Sequence, residues 1–354
     1  MNLNGYQQLL LSSYESNSEE NRQIALRSLL SFIQANLKQV FQFTLDILSN
    51  SFPNKIKFLS LSLIRQIYRV SEESQLPLLI EFSHPLFNSS FSFIQSEICL
   101  EIAAVLGEIL IFLSDHDIDI KSTIEEILSF FPQAAIKRGI FEIFIILCEN
   151  IELDSQIFFF FLSFFSSNPS YSNDFDLIAS IQFLSQISTV ETYSFDEKIS
   201  MNLFSFLINS LNTPNIRIRE SVYICFATFC KYQLLFPNFI DISMISQFIL
   251  SDLSQENCIK EISLFIKKII KYHFEKFNTF IINMIHIFYS ISIAHKESEV
   301  VDFGEEKSID HFAAFSVIEH CLKYHPDLMS QVLSFLDFDS SKPQIREISF
   351  RLLS

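Results

Sequence analysis

A chain of 354 residues with formal net charge −16, four Gly, nine Pro, no Trp and 41 Phe excludes several classes at once. So few glycines leave little for the tight turns and close phosphate approach of a nucleotide-binding α/β fold, and the acidic balance opposes direct nucleic-acid binding, which needs a basic stripe. Strand and helix patterns do not alternate; apolar residues return every three or four positions, as in Ile24, Leu26, Leu29, Leu30 and Ile33, so the chain reads as all-α.

In chain order, Met1 to Ser18 has no basic stretch ahead of an apolar run and is not read as a signal peptide. From there a turn, a polar and often basic helix start, and an apolar helix recur. Copies begin near Asn21, Asn54, Gln95, Gln133 and Asn173. The clearest is Asn212-Thr-Pro-Asn-Ile-Arg217-Ile-Arg219, followed by others near Gln255, Ser308 and Ser341. Anchored at Arg22, Lys57, Glu97, Lys137, Asp176, Arg217, Ile259, Asp310 and Arg346, the steps are 35, 40, 40, 39, 41, 42, 51 and 36 residues. A period of roughly 40 to 47 residues with two helices per unit predicts a HEAT-type solenoid. The expected architecture is one right-handed superhelical domain over residues 1–354, with about eight to nine antiparallel A/B helix pairs and an incomplete last repeat.

Phe277 to Ala294 carries no formal charge, yet Asn278, Asn283, His286 and Ser290 interrupt it, so it reads as a buried helix and not a membrane span. The six cysteines mostly sit in apolar helical stretches and imply no disulfide framework. Neither His311, His320, Cys321 and His325 nor Cys225 with Cys230 has a recognised zinc spacing. The chain has no phosphate-binding loop, Gly-x-Ser-x-Gly or His-Glu-x-x-His motif. The expectation is a protein without catalytic activity, metal or cofactor.

Laid out in order, these repeats resemble the N-terminal arch of the importin-β (karyopherin-β) nuclear transport receptors. The resemblance rests on Ser16-Asn-Ser-Glu-Glu-Asn-Arg22 opening the first charged helix and Ile146-Leu-Cys148-Glu-Asn-Ile151 ending the fourth B helix. It also rests on the junction from Asn168 to Asp174 and then Ser194-Phe195-Asp196, and on Pro214-Asn-Ile-Arg217-Ile-Arg219. The strongest ordinal match is the long step from Ile259 to Asp310, whose excess falls in the acidic segment 296–308. The family carries an acidic loop between the helices of its eighth repeat. Here Val300, Val301 and Gly304 dilute the acidic run and no Trp follows it.

The resemblance implies a receptor that binds Ran-GTP, nucleoporin Phe-Gly repeats and a basic nuclear localisation signal or importin-α-like adaptor, shuttling between cytoplasm and nucleus at the pore periphery. Ran and cargo would meet the B helices on the concave face. Glu297, Glu299, Asp302, Glu305 and Glu306 would contact Ran or basic cargo, although such a charge run also serves as a solvated loop. A Phe-Gly pocket between the fifth and sixth A helices would use Phe158, Leu162, Leu203 and Phe204, residues whose spacing equally suits a helix core. An acidic surface would attract basic signals, and it would also keep a Phe-rich solenoid soluble. The chain stops within the ninth B helix, so a fragment with the Ran- and pore-binding half is expected. The alternative is a HEAT scaffold of a cytoplasmic assembly unrelated to Ran.

Overall fold

The computed structural model describes residues 1–15, 18–70, 72–171, 173–189, 196–232, 238, 242–298 and 305–334, with 293–298, 305–312, 331 and 333 in backbone alone. The chain forms two compact units, Met1–Asp154 and Ser155–Ser354. All regular structure in the described residues is helical.

The first unit holds α1 (Leu3–Glu15), α2 (Glu19–Ser49), α3 (Asn54–Val70), α4 (Leu76–Phe91), α5 (Cys99–Asp115), α6 (Lys121–Phe130) and α7 (Arg138–Asn150). The second holds α8 (Ser155–Ser166), α9 (Asp174–Ile187), α10 (Glu197–Leu211), α11 (Ile216–Tyr232), α12 (Ile242–Ser254), α13 (Ile259–Ser298), α14 (Glu305–Tyr324) and α15 (Met329–Leu333). Two of these each carry a B helix and the next A helix. In α2 the break is at Asn36 (φ −143°, ψ 42°), whose amide donates to the Phe32 carbonyl at 3.3 Å, an alternative to the helical ladder that Asn readily takes. In α13 the breaks are at His273 and Phe277.

The repeat anchors fall at the starts of B helices: Arg22 in α2, Lys57 in α3, Asp176 in α9, Arg217 in α11 and Ile259 in α13, with Glu97 and Lys137 just ahead of α5 and α7. Arg346 lies outside the described residues. The starts form there because side chains take up backbone N–H groups that no helical carbonyl reaches. Asn173 Oδ1 accepts from Asp176 N at 2.9 Å in α9 and Asn215 Oδ1 from Arg217 N at 3.0 Å in α11; Asp196 Oδ1 caps the A helix α10 in the same way, accepting from Ile199 N at 2.7 Å.

Within each unit, helices pack along two tracks. In the first unit α2 packs on α4, while α3, α5 and α7 stack as successive B helices; in the second, α8 packs on α10, while α9, α11 and α13 stack. Polar bonds repeat at the same interval. Asn54 donates to Glu97, the Ala135 amide to Gln95, Asn215 to Asp174 and Ser185 to Thr228, at separations of 43, 40, 41 and 43 residues. His325 Nε2 meets the Ile270 carbonyl 55 residues away, whereas His273 Nε2 meets the Cys230 carbonyl 43 away. The longer step is thus accommodated while His325 and His273 keep equivalent contacts.

The inserted segment is shorter as a loop than the sequence implies. Lys296, Glu297 and Ser298 continue α13, and Glu305 to Ser308 already belong to α14. No helix among the described residues is long and apolar enough to cross a membrane.

Gly107 lies where α5 and α7 pack closely. A Cβ there would stand 2.8 Å from Ile146 Cγ2 and 3.2 Å from Ile146 Cβ. Alanine should gain about 1 kcal/mol of helix propensity but force α5 and α7 apart, and overpacking of this kind costs about 1–3 kcal/mol. Gly107→Ala is therefore expected to lower the urea midpoint, and adding Ile146→Ala should restore part of the loss in a double-mutant cycle. A stabilised single variant would contradict the contact.

Candidate partner-binding face

Stacking buries most of each B helix and leaves one stripe open. On α5 the buried side includes Ile102, Ala103, Val105, Leu106, Ile109 and Leu110, and the partly open residues between its exposed ends include Glu101, Glu108 and Ile111. The two carboxylates lie seven residues apart, two turns along one face. On α3 the matching stripe holds Ser62, Arg65 and Arg69, and on α7 it holds Arg138, Glu142 and Glu149.

These groups interact across helices. Arg69 donates to Glu108, and Arg65 Nε stands 3.6 Å from the same Oε1. Burial pushes the Glu101 carboxyl above the usual carboxylate range, with Arg65, Ser62 and Arg69 only partly offsetting it. Its Oε1 is shielded from solvent and accepts no hydrogen bond. Glu142 is raised for the same first reason; Arg138 and Arg65 pull it down and Glu149 pushes it up. The face thus carries carboxylates that have lost hydration without full replacement, a condition that a cation would relieve.

At the C-terminal ends of α3 and α5 this face opens into a recess of about 350 Å³. Glu72, Glu73, Glu108 and Asp115 ring it with Arg69 and His116, and Tyr68, Leu79 and Phe112 form apolar wall. The Tyr68 and Phe112 rings meet edge to face with centroids 5.1 Å apart. Apolar wall for an aliphatic stem and acidic rim for its charged head suit a Lys or Arg side chain.

The residues proposed from sequence are placed differently. Glu297, Glu305 and Glu306 lie on helical backbone at the ends of α13 and α14, with their side chains outside the described set; Glu299 and Asp302 lie outside the described residues. Phe158, Leu162, Leu203 and Phe204 are on α8 and α10 as expected but are 3%, 1%, 0% and 8% exposed. Phe204 turns inward, its ring 6.1 Å from that of Phe226 on α11. The exposed large apolar residues of these two helices are Phe159 and Met201. Cys225, Cys230 and Cys321 are buried; His325 stacks on Phe274 at 3.6 Å between centroids. His311 has no described side chain. No group of His, Cys, Asp or Glu among the described residues is arranged to hold a metal.

Sequence reasoning missed Glu101, Glu108 and Glu142. The available signal was a lone charge recurring at one helical position inside otherwise apolar B helices.

No protein-family model matches the chain, and no curated protein does. Solved structures do. Over 99% of its length the chain matches yeast importin-β, Kap95p, with TM-score 0.71 and 12% identity, covering 46% of that chain. It matches Kap95p from the structure in which Kap95p binding induces the RanGDP switch loops to adopt the GTP-bound conformation, with TM-score 0.67 and 12% identity over 99% of this chain and 45% of that one. It matches Kap121p bound to RanGTP with TM-score 0.67 and 13% identity, over 99% of this chain and 36% of that one. The chain therefore spans less than half the length of these proteins. What it shares with them at such identity is the fold, the HEAT-repeat solenoid of karyopherins.

The desolvated carboxylates give a pH test. A carboxyl whose folded pKa lies above its unfolded value destabilises the fold wherever it is ionised. That cost is complete above the folded value and disappears as pH falls below the unfolded one. Glu101→Gln and Glu142→Gln are each expected to raise Tm at neutral pH by about 1–3 °C, a small effect because solvent screens these half-open sites. The advantage should vanish at acid pH. Equal Tm at both pH values would contradict it.

Proposed function

We propose that this chain corresponds to the N-terminal HEAT-repeat portion of an importin-β-type nuclear transport receptor. In this reading it binds Ran-GTP and a basic nuclear localisation signal or adaptor along its B helices, meets nucleoporin Phe-Gly repeats on its A helices, and works between cytoplasm and nucleus. The observation that carries the reading is the carboxylate stripe of Glu101, Glu108 and Glu142 on the open face of stacked B helices. The karyopherin fold along the whole chain and the insertion between α13 and α14 support it further.

A basic partner would replace lost hydration at these carboxylates and be drawn by the net charge of −16. Release follows if Ran-GTP and cargo favour different arrangements of the repeats, since a ligand shifts an equilibrium only by its differential affinity. Phe-Gly contact at α8 and α10 would engage the exposed Phe159 and Met201, with the four buried residues as the layer beneath. The acidic residues 297–306 remain a proposed Ran or cargo contact. Neither contact involves catalysis.

The test is binding of the purified chain to Ran loaded with GTP and, separately, with GDP. A preference of about tenfold or more for the GTP form is expected. Glu101→Gln/Glu142→Gln, shown folded by circular dichroism, should weaken binding, and neutralising 297–306 should weaken it independently. Equal or absent binding to both forms by the folded chain would overturn the reading in favour of a HEAT scaffold with another partner.

A further inference from the structure

In the second unit, basic side chains gather on one B helix. Five of the chain's 25 lysines and arginines fall within residues 260–276. Lys260, Lys267, Lys268 and Lys271 lie on α13 at intervals of 7, 1 and 3 residues, forming one helical stripe that includes the exposed Leu264.

The adjoining stripe of α14 adds His320 and Lys323. Proximity is direct. Lys271 Nζ stands 5.0 Å from the centre of the Tyr272 ring and 5.7 Å from that of Tyr324, and Lys323 Nζ stands 5.9 Å from Tyr324. Burial, then Lys267, Lys268 and Lys271 together, hold His320 below its usual range. Lys267 is lowered by burial and by Lys268, with Glu319 opposing. None of Lys260, Lys267, Lys268, Lys271 and Lys323 forms an ion pair within 4.0 Å among the described residues, although Glu261 and Glu319 lie on the same two helices.

We infer that this lysine stripe docks an acidic peptide segment of a partner protein, in which Asp or Glu alternates with apolar side chains. Neighbouring cations repel one another, Glu319 only partly offsets this at Lys267, and an anion placed across the stripe adds attraction that the free protein lacks. Leu264, Tyr272 and Tyr324, 39%, 38% and 38% exposed, supply apolar contact between the charges. Nucleobases would stack on Tyr272 and Tyr324, but Leu264 between the lysines suits an apolar side chain better than a phosphate backbone. A long polyanion would in addition meet the repulsion of a chain at −16 overall, which a short acidic segment largely escapes within a Debye length. This docking face does not depend on Ran binding.

The experiment titrates the full chain with a labelled short peptide alternating Glu with Leu and Phe, beside its Gln counterpart, a single-stranded oligonucleotide of equal charge and phosphatidylserine vesicles. Saturable binding of the Glu peptide that weakens with salt is expected, with the Gln peptide at least about tenfold weaker. Lys268→Gln/Lys271→Gln/Lys323→Gln, confirmed folded by circular dichroism, should lose about tenfold in affinity, whereas Lys38→Gln in the first unit should lose none. Unchanged binding by the triple variant, absent peptide binding, or tighter binding of the oligonucleotide or vesicles would each overturn the inference.

Discussion

The stacking of one B helix on the next is the contact on which the rest depends. A repeat of two short helices cannot enclose an apolar core by itself, so each B helix must be apolar toward its own A helix and toward the repeats before and after it. Along the middle of α5 this leaves only the line of Glu101, Glu108 and Ile111 accessible, with Leu100 and Leu113 to Asp115 open at its ends. Gly107 is set where the next helix comes nearest, opposite Ile146. Charge is thereby confined to narrow lines, and stacking places those lines side by side. A surface assembled this way needs no local motif. Single residues on separate helices, about forty positions apart, become neighbours.

The same constraint explains the polar groups that are not on the surface. Asp252, at the end of α12, is buried and shared by Arg219 Nε at 3.2 Å and the Tyr223 hydroxyl at 2.8 Å, both from α11. Burial raises the Asp252 carboxyl in spite of both partners, so the pair is a poor source of net stability. Removing one member would nevertheless leave its charge stranded, at a cost of about 3–5 kcal/mol. Its effect is specific: it ties one repeat's B helix to the next repeat's A helix in a single register. Lys57 shows another solution, its ammonium 3.9 Å from the centre of the Phe93 ring, where an aromatic face stands in for an anion.

Much of the fold was legible because the period was. Turn chemistry at Asn173, Asp196 and Asn215 and basic residues such as Arg217 mark helix starts, and those marks survive in the sequence with little dependence on tertiary context. Less legible was where one helix passes into the next, since Asn36 and His273 break the backbone inside patterns that read as continuous. The site was harder. Periodicity separates inside from outside only when the two faces differ in polarity, and α8, with Phe158 to Phe161 in a row, offers no contrast. Phe158 and Phe161 are buried while Phe159 is 55% exposed. The carboxylate stripe escaped notice for the converse reason: Glu101, Glu108 and Glu142 are unremarkable until stacking sets them together.

Net charge misled in one further respect. A total of −16 suggests an acidic surface throughout, yet the B-helix stripe of the first unit interleaves carboxylates with Arg65, Arg69 and Arg138, and α13 in the second gathers lysines. A solenoid permits this because each stripe is screened from distant repeats over about a Debye length of 8–10 Å, so neighbouring residues, and not the whole chain, set the local potential. The proposed basic partner of the first unit and acidic partner of the second would then use different residues. The cost each would relieve is local: Glu101 on α5 and Glu142 on α7 are short of hydration, and on α13 burial and Lys268 disfavour the charged form of Lys267. Such sites hold energy that binding releases, so the affinity of each stripe depends more on how its repeats stack than on how many charges it carries.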